Sequence, residues 1–431
     1  MDLLPVLVLI VSFILLLVIG TPVAWSIGVS SLLTMLVSIP ALPALTTVSQ
    51  RIGTGLDSFA LLAIPFFILS GQLMNRGGIA HRLIAFAKTL IGSLPGGLAM
   101  INIIAAMLMG AIAGSALASA SAMGSILGPE MEKEGYSRQF GAAVNITSST
   151  TGLVIPPSNI LIVFSLASGG VSIAALFLAG YIPGLITGIL LMLVSYLWAK
   201  KYNYRVGQRS SLVQVFKTFI AALPSLMLLV IVMGGIVAGI FTATEASAIA
   251  VLYTLILGFH YREISLKDLP KLFLESSATS AVVMLLIGAS MSMSWVMSFE
   301  NIPQGISATL LSISDNKIII LLIINLILLF VGVFMDMTPA VLIFTPIFLP
   351  VVTELGIDPI QFGIVMVLNL CIGLCTPPVG SVLFVGVSIA GTTIQKVVKP
   401  LIPLFIAMII SLFLVAYIPQ LSLWLPSLFG M

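Results

Sequence analysis

Charged residues are scarce in this chain. Of its 431 residues, 7% are charged and 60% are apolar, and the mean hydropathy is +1.25. Soluble globular proteins carry about 25% charged residues, so a soluble surface is excluded and most of the surface must face lipid. The net charge of +3 is small and no basic patch with interleaved aromatics occurs, which excludes nucleic-acid binding. The composition predicts an all-α polytopic membrane protein in a lipid bilayer.

Cysteine and histidine are also scarce. Cys371 and Cys375 lie four residues apart in an apolar stretch without the partners of a zinc site. His81 lies outside the apolar stretches and His260 lies at the very end of one, in a basic segment, so a buried base for an intramembrane serine protease is missing. An aspartyl protease needs two facing acids, and Asp336 has no such partner in the sequence. These absences argue against an enzyme and leave a transporter or a channel.

The apolar stretches predict ten full spans and two hairpins. A helical span needs about 20 mostly apolar residues. Two stretches, 97–128 and 319–352, are too long for one span and contain small or polar residues midway, so each is predicted to be a re-entrant helical hairpin. The full spans are predicted at 3–20, 22–39, 58–75, 140–169, 173–198, 220–240, 242–260, 274–298, 361–391 and 400–425.

The positive charges predict the sidedness of the chain. All of the 17 Lys and Arg residues except Arg51 and Lys317 fall in five segments, which are 76–95, 129–139, 199–219, 260–273 and 392–400. The positive-inside rule places such segments in the cytoplasm. With two hairpins, all five segments reach the cytoplasmic side and both termini lie outside. If the two long stretches were ordinary crossings, some of these basic segments would lie on the opposite side.

A weak internal repeat divides the chain into 1–219 and 220–431. Gly152–Asn159 reads GLVIPPSN and Gly373–Gly380 reads GLCTPPVG, a spacing of 221 (373 minus 152). Each half has an odd number of spans, so the second half enters the membrane from the opposite side and the repeat is inverted. Each half is predicted to hold scaffold helices, a hairpin, a broken helix and a last helix: 3–75, 97–128, 140–169 and 173–198, then 220–298, 319–352, 361–391 and 400–425.

The Pro-Pro pairs predict breaks in two spans. Pro156-Pro157 lies inside 140–169 and Pro377-Pro378 lies inside 361–391, and proline removes an N–H and clashes with the preceding turn. The freed carbonyls, with Ser, Thr and Asn oxygens, are suitable ligands for Na⁺, and inverted-repeat transporters place their sites at such breaks. The half-helix that follows each break begins with free N–H groups and a positive dipole end, which suits a carboxylate.

The hairpin centres supply the facing half of the predicted site. The first holds Gly114-Ser115 and the second holds Asp336, an ionisable group inside an apolar segment, where such residues are usually functional. The residues predicted to bind substrate are Ser115, Ser119, Ser158, Asn159, Thr338 and Gly380. Those predicted to bind Na⁺ are Gly114, Ser115, Asn145, Ser148, Thr151, Gly152, Pro156, Asp336, Met337, Thr338, Asn369, Gly373, Thr376 and Pro377.

Two further features lie outside that site. Glu245, in FTATEASA, is predicted to be another buried acid, with a structural and a transport role both open. The segment 76–88 alternates basic and apolar residues, which predicts an amphipathic interfacial helix that could act as an arm for a moving domain.

The motifs AGSALASASAMG, EKEGYSRQF, GLVIPPSN, GVFMDMTPA, LGIDPIQFG and GLCTPPVGSVLFV resemble those of the large membrane subunit of TRAP (tripartite ATP-independent periplasmic) transporters over essentially the whole chain. The resemblance implies Na⁺-driven uptake of organic acids across the bacterial inner membrane. It also implies an elevator-type architecture and two partners, a small four-helix membrane subunit and a soluble periplasmic substrate-binding protein.

The substrate is not specified by the resemblance, and sialic acid and a C4-dicarboxylate are both expected candidates. The alternative is a stand-alone Na⁺/dicarboxylate or citrate symporter of the same architecture, which would need no binding protein. A channel is less compatible with two hairpins that open to opposite sides, because that arrangement suits alternating access.

Overall fold

The computed structural model describes residues 3–204, 211–314 and 316–431, and these form α-helices joined by short turns. Arg205 and Arg209, which contribute to the predicted sidedness, lie outside the described residues. The helices of the first half are α1 (Leu3–Val18), α2 (Val23–Ser38), α3 (Ala41–Leu56), α4 (Ala63–Arg76), α5 (Ile79–Ile91), α6 (Gly97–Ala113), α7 (Ala116–Lys133), α8 (Arg138–Thr151), α9 (Asn159–Ala167) and α10 (Ile173–Lys201).

The second half continues the same sequence of elements. Its helices are α11 (Leu212–Val237), α12 (Ala243–His260), α13 (Leu269–Phe299), α14 (Ile302–Ile313), α15 (Lys317–Phe334), α16 (Met337–Glu354), α17 (Pro359–Gly373), α18 (Ser381–Ile389), α19 (Ile394–Tyr417) and α20 (Gln420–Leu428). Within the described residues, eight helices are long and apolar enough to cross a membrane by length and composition. The chain is therefore an all-helical protein rich in apolar helices.

The helices pack in two groups. The first group, called here the outer helices, comprises α1–α4 and α11–α13, in which α12 packs on α4 and α13 packs on α2, α3 and α4. The second group, called here the inner helices, comprises α6–α10 and α15–α19, in which α6 packs on α8 and α15 packs on α17. Contacts of α4 with α6 and of α13 with α16 join the groups.

Two short helices contact both groups. The amphipathic helix α5 packs on α6 and α11, while α14 packs on α16 and α13. Each follows a left-handed residue, Gly78 (φ +68) before α5 and Asn301 (φ +56) before α14. A left-handed residue turns the chain sharply, so each helix leaves the direction of the preceding one. The amphipathic pattern of 76–88 predicts the first of these helices, whereas no pattern in the sequence predicts the second.

The two broken spans contact each other within the group of inner helices. The thiol of Cys371 in α17 donates a hydrogen bond to the carbonyl of Thr150 in α8 at 3.1 Å. Cys375 Sγ lies 3.4 Å from Thr150 Oγ1. Both cysteines are free and buried, so their role here is to pack α17 against the polar end of α8.

An aromatic cluster fixes the start of α8. Tyr136 is buried between α7 and α8, and its ring centroid lies 4.4 Å from that of Tyr204. Desolvation by this burial raises the pKa of Tyr136 to about 12. The hydroxyl of Ser137 accepts a hydrogen bond from the backbone N–H of Phe140 at 3.3 Å, which caps α8. The helix that leads to the first break therefore has a defined origin.

The prediction that Glu245 is a buried acid is wrong. Glu245 lies in the first turn of α12 and is exposed. Its carboxylate accepts hydrogen bonds from the backbone N–H and the hydroxyl of Thr242, both at 2.8 Å. The hydroxyl of Thr242 in turn accepts from the N–H of Glu245, which completes a capping box. The local pattern Thr-x-x-Glu would have identified this structural role.

Replacing Glu245 by alanine is therefore expected to lower the melting temperature slightly and to leave transport unchanged. The loss affects one helix cap and no residue of the cavity described below. The measurement is the melting temperature of the purified protein together with its uptake rate. A variant that folds normally and fails to transport would contradict the capping role.

Candidate functional site

The first helix pair turns at Gly114 and Ser115. Gly114 has φ +60, a backbone conformation that disfavours residues with a side chain. A Cβ at this position would lie 2.3 Å from Nδ2 of Asn159, so the glycine also permits close packing on the start of α9. The hydroxyl of Ser115 accepts from the N–H of Ala118 at 3.3 Å and caps α7. This turn, residues 114–115, is called here the first tip. It packs closely against the first break.

The first break separates α8 from α9. Helix α8 ends at Thr151, and the chain passes through 152–158 before α9 begins at Asn159. This break is buried except at Ile155 and contains a cis peptide bond between Pro156 and Pro157. The carbonyls of residues 150–152 accept hydrogen bonds from the N–H groups of residues 153–155 within the break. The first N–H groups of α9 have no intrahelical partner, so they are free for other partners.

The second helix pair turns at Met335 and Asp336, and the second break lies beside it. Helix α17 ends at Gly373 and α18 begins at Ser381, again with a cis peptide bond, between Pro377 and Pro378. The N–H of Gly380 donates to the carbonyl of Val333 at 3.1 Å, which joins the break to the turn called here the second tip, 335–336. Residues 378 and 379 are exposed, so this break is more open than the first.

Paired glycines bring each helix pair against its break. A Cβ on Gly152 would lie 2.6 Å from Cα of Gly110 in α6. A Cβ on Gly373 would lie 2.6 Å from Cα of Gly332 in α15. The backbone atoms of a packed helix cannot move away from an added methyl group as a flexible side chain can, so only glycine fits at these contacts.

One cavity of about 480 Å³ lies where both tips and both breaks meet. Its size falls within the range of small-molecule sites. Outer helices α4 and α13 form its opposite wall. Six predicted site residues line it: Gly114, Ser115, Asn159, Asp336, Met337 and Thr338. Residues that are far apart in the sequence and were each predicted to belong to the site therefore lie together at this cavity.

Several predicted residues lie behind the wall of this cavity. The hydroxyl of Ser119 donates to the carbonyl of Ala106 at 3.0 Å, which fastens α7 to α6. Asn145 Nδ2 donates to the carbonyl of Ala120 at 2.7 Å. Asn145 instead borders a second cavity of about 400 Å³, between α7, α8 and the end of α18.

Other predicted residues hold the breaks together. Asn369 Nδ2 donates to Oδ1 of Asn325 at 2.7 Å, and Thr376 Oγ1 donates to the carbonyl of Ile372 at 2.7 Å. The hydroxyl of Ser158 donates to the carbonyl of Leu153 across the first break. The remaining predicted residues lie in or beside the breaks and do not line the cavity: Ser148, Thr151, Gly152, Pro156, Gly373, Pro377 and Gly380.

Four polar residues of the cavity were not predicted. Gln72 and Asn75 come from α4, Thr279 from α13 and Ser381 from the start of α18. Ser381 follows the second break as Asn159 follows the first, at a spacing of 222 (381 minus 159). The repeat could therefore have identified Ser381, whereas the residues of α4 and α13 have no counterpart motif in the sequence.

The first residues of α9 and α18 present unpartnered polar atoms. Asn159 Oδ1 and Ser381 Oγ are buried and have no hydrogen-bond partner in the protein. Within the described residues, no group of three His, Cys, Asp or Glu side chains could hold a metal ion. A cation in this cavity would therefore be bound by neutral oxygens and the carboxylate of Asp336, a donor set that suits Na⁺ better than a transition metal.

Comparison with known proteins identifies the family. Residues 10–421 match the family described as "Tripartite ATP-independent periplasmic transporter, DctM component". A relative from Salmonella typhimurium, "Uncharacterized protein YgiK", is 55% identical over 99% of this chain and 98% of its own.

Two named relatives share nearly the whole chain. The C4-dicarboxylate TRAP transporter large permease protein DctM of Rhodobacter capsulatus is 37% identical over 96% of both chains. The sialic acid TRAP transporter large permease protein SiaM of Vibrio cholerae is 40% identical over 88% of this chain and 89% of its own.

The fold resembles that of a solved transporter. The crystal structure of the YdaH transporter of Alcanivorax borkumensis superimposes with a TM-score of 0.65, covering 90% of this chain and 89% of that one at 13% identity. The family match, together with identity of 37% and more to large permease proteins, shows what this chain is. It belongs to the DctM family, the large membrane component of bacterial TRAP transporters, and is a multi-pass membrane permease rather than an enzyme.

Proposed function

We propose that this chain carries out Na⁺-coupled uptake of an organic acid that a periplasmic binding protein delivers. The observation that carries the proposal is the single cavity at which both tips, both breaks and the outer helices α4 and α13 meet. Secondary transporters commonly place substrate and coupling ion at broken helices in corresponding positions of two halves.

The coupling ions are assigned to the tip-and-break pairs. On the first side, the tip Gly114-Ser115 lies beside the start of α9, and Ser148 and Thr151 near the end of α8 are fully buried. Their hydroxyls donate within α8, to Val144 and Thr147, and keep lone pairs that can accept a cation. On the second side, Asp336 supplies a carboxylate beside the break at 374–380. Na⁺ bound at either place would make the cavity more favourable for an anion.

The substrate carboxylate is assigned to the starts of α9 and α18. Both helices begin at the cavity, with Asn159 and Ser381 as their first residues. Free N–H groups and the positive end of the helix dipole stabilise an anion at such a position. Anion and cation are therefore bound next to each other, which couples their affinities.

Movement of the inner helices against the outer helices would carry both tips and both breaks, with the bound substrate, across the membrane and away from the outer wall of the cavity. The matched order of elements supports an inverted repeat of residues 1–219 and 220–431: α5 and α14 occupy equivalent places, as do the glycine contacts at Gly152 and Gly373. Since α5 and α14 contact both groups, they are suited to act as arms during an elevator movement.

The partners and the location follow from the family. A TRAP transporter includes a small membrane subunit and a periplasmic binding protein, and we assign the small subunit to the exposed apolar faces of the outer helices, where Trp25 is 58% exposed. The permease is assigned to the inner membrane with both termini in the periplasm. Sialic acid and C4-dicarboxylates, which named relatives transport, are the first substrates to test.

Uptake into liposomes tests the proposal. We expect labelled substrate to accumulate when the chain is co-reconstituted with its small subunit, the cognate binding protein is outside, and an inward Na⁺ gradient is imposed. Choline in place of Na⁺ should abolish accumulation. Uptake that proceeds without the binding protein would instead indicate a stand-alone symporter, and uptake that is independent of Na⁺ would overturn the coupling.

A further inference from the structure

We propose that this permease selects a hydroxylated organic monoanion over a dicarboxylate, and that outer helices α4 and α13 recognise the substrate's hydroxyl groups. The inference deepens the proposed function, because it rests on the cavity being the substrate site. Gln72, Asn75 and Thr279, called here the outer wall, lie on the side of the cavity opposite the tips.

The charges of the cavity favour a single anionic group. Asp336 is the one charged side chain among the residues that line the cavity, all of which belong to the described part of the chain. Arg76 follows Asn75 in the sequence, but its guanidinium bonds to Glu275 at 2.7 Å and does not line the cavity. A second carboxylate placed against the outer wall would therefore have no cationic partner among the lining residues, which is unfavourable.

The outer wall offers the hydrogen bonds that a hydroxyl group needs. Asn75 Oδ1 is buried and has no partner in the protein. The hydroxyl of Thr279 donates to the carbonyl of Glu275 at 3.0 Å and keeps lone pairs for an incoming donor. A substrate hydroxyl can donate to either oxygen and accept from an amide N–H, whereas a carboxylate can only accept.

The two ends of the cavity therefore differ in chemistry. The starts of α9 and α18 suit an anionic group, and the outer wall suits neutral hydroxyls. Apolar side chains of Ile64, Ile68 and Val283 also line the cavity and fit the carbon chain of the substrate. A sugar acid or a small hydroxy-sulfonate carries an anionic group at one end and hydroxyl groups toward the other, whereas succinate carries a charge at both ends.

Direct binding to the permease tests this selectivity without the binding protein. The full chain would be purified with its small subunit in a buffer that contains Na⁺ and titrated with gluconate and 2-hydroxyethanesulfonate. Binding would be measured as the rise in melting temperature. Hexanoate and ethanesulfonate serve as matched analogues that lack the hydroxyls, and succinate and malate as dicarboxylates. We expect at least one hydroxylated monoanion to bind about 10-fold more tightly than its analogue and than either dicarboxylate.

The variants Asn75→Leu and Gln72→Leu assign the effect to the outer wall. We expect each to weaken binding of the hydroxylated monoanion about 10-fold and to leave binding of its analogue unchanged. Gln214→Leu, on an exposed position of α11, is the control and should change neither. Tighter binding of a dicarboxylate, or equal losses for both members of a pair, would overturn the inference and leave the proposed function intact. If none of these acids stabilises the wild-type protein in Na⁺, the inference fails, whereas the proposed function is decided separately by the uptake assay.

Discussion

Replacing Asp336 by asparagine is expected to raise the Na⁺ concentration that half-saturates uptake by about 10- to 100-fold. Asp336 is the one acid among the residues of the cavity and lies at the second tip, next to the second break. Asparagine keeps the size and an oxygen ligand but removes the negative charge that attracts the cation. The expected change is therefore in Na⁺ dependence, with little change in folding.

The measurement is uptake into liposomes at a series of Na⁺ concentrations. Asp268→Asn is a matched control, because Asp268 is exposed before α13 and accepts hydrogen bonds from the N–H and hydroxyl of Ser265 at 2.9 and 2.6 Å. Those hydrogen bonds lower the pKa of the Asp268 carboxyl, and asparagine can still accept them. An unchanged Na⁺ dependence in Asp336→Asn would remove this carboxylate from the ion site.

Replacing Gly152 by alanine is expected to destabilise the protein by roughly 3 kcal/mol, the upper part of the range for overpacked interiors. The added methyl group would lie 2.6 Å from Cα of Gly110 and 2.8 Å from the carbonyl oxygen of Met107. Both neighbours are backbone atoms of α6, so relief requires α6 to move away from the first break. Uptake should fall together with stability, since the first tip continues directly from α6.

A glycine in open surroundings provides the control. Gly53 lies inside α3, and a Cβ there would meet nothing within 4 Å. Gly53→Ala should be neutral or stabilising, because alanine is preferred over glycine in a helix interior by about 1 kcal/mol. The comparison uses melting temperatures in the same detergent. Equal melting temperatures for Gly152→Ala and the wild-type protein would show that the contact between α6 and the break is looser than described.

The local features of the site could be predicted from short stretches of sequence. Pro156-Pro157 and Pro377-Pro378 interrupt their helices wherever the chain places them, because proline removes a donor and clashes with the preceding turn. The turn at Gly114-Ser115 follows equally from local chemistry, since glycine accepts a positive φ and serine caps the next helix. The roles assigned to these residues in binding Na⁺ and substrate stay predictions.

Two features differ from the sequence-based predictions because a short sequence pattern does not specify which helices pack around it. Glu245 was predicted to be buried because its segment is apolar, yet the first turn of α12 is exposed and the carboxylate caps the helix. Helix α14 was not predicted because its 12 residues are too few for a span. Its interfacial placement depends on contacts with α13 and α16.

Composition and periodicity by themselves determined that the chain is a helical membrane protein with two hairpin-like helix pairs and two broken helices, because these follow from hydropathy and from the backbone chemistry of proline and glycine. Only the tertiary structure decided which residues share the cavity. Gln72, Asn75 and Thr279 lie on ordinary helices without a motif and become part of the cavity through the packing of α4 and α13 against the tips. Ser119 and Asn369 carry polar groups that look equally suited to binding, but packing directs their hydrogen bonds to neighbouring helices instead. The reason is physical: backbone preferences act over a few residues, whereas the lining of a cavity depends on contacts between segments hundreds of positions apart.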